Sequence, residues 1–176
     1  MAPEQNQTAI VVPVPAAEPV VAAWRERFDD SGAQGMPAHI TVLYPFLAAE
    51  RLTGPTLARL RNICAESPTL DVVFTRTGHF PDVLYVEPEP ASGLQQLTAA
   101  IAEQWPEAPP YGGRYDEVVP HLTVATGADA AALSEVETAV TRQLPLRAWL
   151  VEARIYVFGG GRWQQEARLP FGFRDS

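Results

Sequence analysis

The chain has 176 residues, 47% hydrophobic and 19% charged, a globular balance that suits one compact domain or two small lobes sharing a core. A net charge of −8 excludes a broad electrostatic footprint on long nucleic acid, which needs many phosphate contacts, but still allows a small anion in a locally positive cleft. All 13 basic residues are arginine and Cys64 is the only cysteine, which excludes a lysine nucleophile, an intrachain disulfide and a cysteine-rich zinc site.

Thr8–Pro15 reads as a strand, with Pro13 and Pro15 marking an edge or an early end. Pro19–Phe28 reads as a helix, and Asp29–Pro37 as a turn-rich stretch. A second strand spans His39–Phe46 and stops at Pro45. Thr53-Gly54-Pro55 opens a helix through Glu66, with Pro55 in its first turn. Leu70–Thr77 and Val83–Glu87 form a hairpin around Gly78–Asp82, and Ser92–Trp105 a third helix. Glu107–Val119, with Pro109, Pro110, Gly112 and Gly113, is the candidate mobile loop. A strand His121–Ala125 precedes a helix Ala130–Leu144 with Asp129 as its N-cap. Leu146–Phe158 and Trp163–Leu169 then read as a final hairpin around Gly159–Gly161. No basic region followed by an apolar core starts the chain, and no apolar run reaches membrane-spanning length. The expectation is a soluble, cytoplasmic monomer.

One short pattern occurs twice. His39-Ile40-Thr41-Val42 and His121-Leu122-Thr123-Val124 both read His-apolar-Thr-Val, and two of the three histidines occupy equivalent places in them. In a strand, His and Thr at i and i+2 share a face. Each tetrad leads to a helix and then a hairpin, so the repeat is structural as well as textual. A pseudo-two-fold α+β pair of lobes would set the two motif strands facing each other across a cleft. Phosphodiester cleavage needs one group to take a proton and another to give one, from opposite sides of the phosphorus. Imidazole suits both roles because it titrates near neutrality, and the threonine hydroxyls would meet the phosphoryl oxygens. Singly, His39 and His121 would read as strand histidines satisfied by backbone; as a matched pair with matched threonines they read as catalytic. No Asp or Glu sits in either tetrad to complete a zinc shell.

These two His-x-Thr motifs, in the contexts HITVLYPF and VPHLTVA with GHFPDVLYVEP between them, resemble the 2H phosphoesterase superfamily. The closer likeness is to its bacterial branch of 2′-5′ RNA ligase-like cyclic phosphodiesterases, and it runs over most of the chain. The resemblance implies a bilobal fold with two antiparallel sheets around a central cleft and helices outside. It implies metal-independent, cofactor-free hydrolysis of a 2′,3′-cyclic or 2′-5′-linked phosphodiester, one histidine acting as base and the other as acid in an order left open. It also implies that some members rejoin ends in a weak reverse reaction. Many RNA-processing relatives carry a basic residue just after the second motif, where this chain has Ala125-Thr126-Gly127. With the acidic charge, that favours a small nucleotide over long RNA, and neither DNA nor a membrane is an expected partner.

Thr41 and Thr123 are the expected phosphate contacts. Tyr44 is a helper candidate that would face the wrong side of a regular strand unless Pro45 turns it inward. In the loop, Tyr111, Arg114 and Tyr115 would stack on a base or clamp a phosphate, or else tether the loop to the surface. His79 is expected to face solvent, Phe80 and Tyr85 to pack the hairpin, with one of them lining the cleft as the lesser alternative, and Trp149 and Trp163 to sit in the core. Gly159–Gly161 is read as a flexible turn, with Arg162 beside it a remote phosphate ligand. A non-catalytic nucleotide-binding module and a reversible RNA ligase are the alternative functions.

Overall fold

Eight strands in two antiparallel sheets, with five α-helices, make up the fold in a computed structural model that describes residues 2–173. β1 (Thr8–Pro13) is buried on both faces, with Ile10 and Val12 on one side and Ala9 and Val11 on the other. α1 (Glu18–Phe28) and the single turn α2 (Asp30–Ala33) lead to β2 (His39–Leu43). α3 (Gly54–Glu66) starts where Thr53 accepts the Thr56 N–H, and is followed by the hairpin of β3 (Leu70–Phe80) and β4 (Val83–Glu89). Then come α4 (Ser92–Gln104), β5 (Leu122–Thr126) and α5 (Ala130–Thr141), the last capped by the Asp129 carboxylate on the Ala132 N–H at 2.8 Å. β6 (Leu146–Leu150), β7 (Glu152–Gly159) and β8 (Arg162–Pro170) complete the order.

The first sheet runs β2-β1-β7-β8 and the second β5-β4-β3-β6, with every pairing antiparallel. Both His-x-Thr strands are therefore edge strands, and β2 and β5 come within 8 Å of each other. The helices are exchanged between sheets: α1 packs on β5, and α4 packs on β2. Side chains tie the exchange down, with Thr98 of α4 donating to the Val42 carbonyl at 3.0 Å and Thr126 of β5 donating to the Phe28 carbonyl at 3.1 Å. An unpaired edge is thereby covered by a helix from the other half. One buried cluster runs through both sheets, from Ile10 and Ile40 to Leu84, Leu122 and Leu150. Among the described residues no helix is long and apolar enough to cross a membrane.

The α+β, two-sheet expectation holds, with local differences. The expected strand Leu146–Phe158 is two strands in two sheets. Ala148 and Leu150 point to the core, and then Ala153 and Ile155 do, so the alternation changes phase at the exposed Val151 and the chain crosses from one sheet to the other. Trp149 is 59% exposed rather than core, because it lies on the outward phase of β6, where the Arg147 guanidinium covers its ring at 5.3 Å. Gly78–Phe80 continue β3 instead of forming the turn, which shrinks to Pro81-Asp82 with Asp82 at φ 61°.

Candidate active site

In β2, Ile40 and Val42 fill the core, so His39 and Thr41 project from the opposite face. In β5, Leu122 and Val124 do the same and leave His121 and Thr123 on the cleft side. Both imidazoles are fastened alike: His39 Nδ1 bonds the Pro37 carbonyl at 2.7 Å, and His121 Nδ1 bonds the Val119 carbonyl at 2.7 Å. A carbonyl only accepts, so Nδ1 carries the proton in each ring, and Nε2 is the nitrogen left to react.

Their surroundings differ. Behind His39 lies Arg25, 2% exposed, whose guanidinium bonds Asp29 at 3.1 Å, the Met36 carbonyl at 3.0 Å and the Ser31 hydroxyl at 3.1 Å. The Ala38 N–H next to the histidine donates to the Glu18 carboxylate at 2.6 Å. Burial first, and then the Arg25 charge, hold His39 down from 6.5 to about 4; the Pro37 carbonyl and Asp29 oppose this in part, and His121 adds a smaller push downward. Among the described residues no cation acts on His121 in the same way. Burial lowers its pKa too, and the Val119 carbonyl works against that. A phosphodiester anion placed between the rings would favour the imidazolium form instead.

Because the unfolded chain binds a proton at His39 more readily than the folded one, stability falls as pH drops from about 6.5 through about 4. At about pH 5 the loss from this group is expected to be roughly 2 kcal/mol. Urea midpoints at neutral pH and at about pH 5 check it: His39→Gln should narrow the gap between them, and an unchanged gap would contradict the assignment.

The second sheet gives His121 an aromatic box. Phe80 meets its ring edge-on at 5.0 Å, Tyr85 lies 5.2 Å away, and Phe80 and Tyr85 stack at 4.4 Å. Both residues expected chiefly to pack the hairpin therefore wall the site, where the lesser alternative allowed one. Tyr85 can lie flat only because Gly78 is opposite it: a β-carbon there would come within 2.5 Å of the ring. Gly78→Ala is expected to tilt Tyr85, cost about 1–3 kcal/mol and lower turnover roughly tenfold. Thermal melts and steady-state kinetics read both effects, and wild-type values in both would mean that the ring does not need its seat.

A cavity of about 450 Å³ opens beside His121 and Thr123, lined also by Phe80, Val83, Tyr111 and Tyr115. Tyr111 was the least legible of these. It adopts a left-handed backbone (φ 52°, ψ 30°), its N–H donates to the Tyr44 carbonyl at 2.7 Å, and its phenol faces Thr41. It thus spans from the loop to both motif strands. Burial pushes its hydroxyl up to about 12, with Thr41 opposing, so it stays a proton-bearing donor at neutral pH. Tyr115, 64% exposed, stands at the rim with its ring edge-on to Tyr111 at 5.7 Å, and Arg114 on the same loop is exposed. Tyr44 is turned onto the His39 face, but its phenol is committed to Gln7 Oε1 at 2.7 Å and its ring to Trp163. What it offers the site is its carbonyl. His79 faces away, bonded to Glu137 of α5 at 3.0 Å. Among the described residues no three His, Cys, Asp or Glu side chains are grouped to hold a metal ion. A larger cavity, about 650 Å³ between α3, α4 and the start of β3, contains none of the expected site residues.

The family model of the 2′-5′ RNA ligase superfamily matches residues 12–162. A protein of Geobacillus kaustophilus (strain HTA426), named "Putative phosphoesterase GK0864", is 27% identical over 131 residues, which are 72% of each chain. Among solved structures, E. coli LigT complexed with 3′-AMP superposes with a TM-score of 0.62 at 17% identity, covering 96% of this chain and 99% of that one. TT0787 of Thermus thermophilus gives 0.61 at 16% identity, covering 93% and 97%. LigT has also been solved with NADP+ and with ATP. The two-sheet fold is thus shared with LigT and TT0787 over most of the chain, and the chain belongs to the 2′-5′ RNA ligase superfamily of 2H phosphoesterases.

Proposed function

We propose that the chain is a cytoplasmic, monomeric, metal-independent phosphodiesterase that hydrolyses a 2′,3′-cyclic or 2′-5′-linked nucleotide phosphodiester. The observation that carries this is the pair of imidazoles on adjacent edge strands, each held by Nδ1 with Nε2 free and each followed by a threonine on the same face.

Water attacks the phosphorus in line with the leaving oxygen. One Nε2 takes the water proton while the other gives a proton to the ribose oxygen whose P–O bond breaks. Arg25 beside His39, with no counterpart at His121 among the described residues, supports His39 as the neutral base and His121 as the acid that carries the proton. Thr41, Thr123 and the Tyr111 phenol donate to the non-bridging oxygens as charge builds there. Tyr115 and Arg114 at the rim contact the base or sugar of the substrate. A 2′,3′-cyclic substrate opens at the 3′-oxygen and leaves a 2′-phosphate. The charge of −8 favours a small nucleotide or a short RNA end over DNA or long RNA.

The test is a substrate panel on chelator-treated protein: 2′,3′-cyclic AMP, 2′-5′ and 3′-5′ dinucleotides, and an excess of RNA ends, with products resolved. Hydrolysis of the first or second, without metal, supports the reading. Net joining of the ends would favour the ligase, and tight binding with no turnover would replace the enzyme with a nucleotide-binding module.

A further inference from the structure

The cavity of about 450 Å³ that His121 and Thr123 line is shared with residues from two other stretches, so a group held by those residues is joined directly to the reacting phosphate. Phe80 comes from the end of β3, and Tyr111, Tyr115 and Glu117 from the loop before β5. Phe80 lines the cavity while Tyr85, stacked on it at 4.4 Å, does not, which makes Phe80 the cavity-side member of that stack. Tyr111 and Tyr115 stand with their ring planes 81° apart. Aromatic walls of this kind hold a flat nucleobase whatever its identity.

Identity is read at the polar edge of a base. Among the described residues that line the cavity, Glu117 is the one carboxylate and none is an arginine. Other acids around the cleft are committed: Asp29 to Arg25, Glu18 to the Ala38 N–H, and Glu87 to Arg76 at 2.7 Å. Glu117 is exposed and, among the described residues, has no hydrogen bond or ion pair. A carboxylate repels a phosphate and attracts N–H groups, so it sorts the two ends of a nucleotide, sending the phosphate to His121 and Thr123 and a donor-bearing base edge to Glu117. It has two acceptor oxygens and no donor. Guanine meets it with two adjacent donors, N1–H and the N2 amino group, in a bidentate, charge-assisted pair. Adenine and cytosine set one amino donor beside a ring-nitrogen acceptor, and uracil sets one N–H between two carbonyls. Each of those makes one hydrogen bond and turns a lone pair toward the carboxylate.

We infer that Glu117 selects the base and that the preferred substrate is a guanosine 2′,3′-cyclic phosphate, its guanine against Phe80 and its N1–H and N2 amino donors on the Glu117 carboxylate. This selectivity rests on the reading of the site as a nucleotide phosphodiesterase.

Binding tests the base site without relying on turnover. Calorimetry would compare 2′-GMP, 2′-IMP and 2′-AMP on wild type and Glu117→Gln, a change at an exposed, unpaired side chain that leaves the fold intact. Wild type should bind 2′-GMP about tenfold or more tightly than 2′-AMP, with 2′-IMP, which lacks the N2 amino group, between them. A carboxamide has one acceptor and one donor and so matches adenine; Glu117→Gln should bring the ratio of 2′-GMP to 2′-AMP affinity to about twofold or less, or reverse it. Equal binding of the three by wild type, a ratio that survives in Glu117→Gln, or no binding of any of them overturns the base site. A 2′-GMP preference with no cyclic substrate cleaved keeps the base site and ends the hydrolase reading. Cleavage of 2′,3′-cyclic GMP and AMP at equal kcat/KM, with equal binding of the 2′-nucleotides, does the reverse.

Discussion

His39→Ala and His121→Ala are each expected to lower kcat by about 10³-fold, the scale of a lost general acid or base, with the protein still folded. Both side chains bond the backbone only through Nδ1, to the Pro37 and Val119 carbonyls, so truncation removes one hydrogen bond each and opens no large hole in the core. The double variant should be little worse than either single one, because an acid and a base serving one transition state act as a unit. His79→Ala is the control: it lies on the far side of the second sheet, half-exposed and paired with Glu137, and should leave kcat at the wild-type value. Steady-state kinetics on a 2′,3′-cyclic nucleotide give the answer. Activity within about tenfold of wild type in either active-site variant would end the two-histidine account.

Arg25→Gln is expected to be the most destabilising of the single changes near the site. Arg25 and Asp29 form a buried pair 3.0 Å apart, with side-chain exposures of 3% and 9%. Removing one partner strands the other, at a cost of about 3–5 kcal/mol. The Met36 carbonyl loses its donor as well, on the segment that carries the Pro37 carbonyl to His39. The kinetic consequence has a definite sign. Arg25 disfavours the protonated imidazole of His39 and Asp29 favours it, so without the guanidinium His39 holds its proton to higher pH. The acid limb of the kcat/KM profile should therefore move to higher pH, and Arg25→Lys, which keeps the charge, should restore most of its position. Urea denaturation reads the stability, and the pH profile separates positioning from mere loss of fold. A profile unmoved in Arg25→Gln would mean that the pair serves stability alone.

Much of this was legible in the chain because it is local. The His-apolar-Thr-Val tetrads alternate as edge strands must, Thr53 and Asp129 mark helix starts through hydrogen bonds made within one turn, and Pro55 marks one by its fixed φ in the first turn. What escaped depends on distant partners. Gly78 reads as a turn residue because glycine usually punctuates; here it stays in β3 because the Tyr85 ring covers it from the next strand. The break at Val151 follows from a one-residue change of phase, which looks from sequence like a single long strand. Arg25 sits on the apolar stripe of α1 with Val21, and its i, i+4 spacing to Asp29 was the available sign of a buried pair. The exchange of α1 and α4 between the sheets has no local signature at all, since it is fixed by which edge strand each helix covers.

The most direct measurement is hydrolysis of 2′,3′-cyclic AMP by chelator-treated wild-type protein in oxygen-18 water, with products resolved by phosphorus NMR. The account predicts 2′-AMP with one labelled oxygen on its phosphorus. An intact substrate, or turnover that appears only when a metal ion is restored, would contradict it.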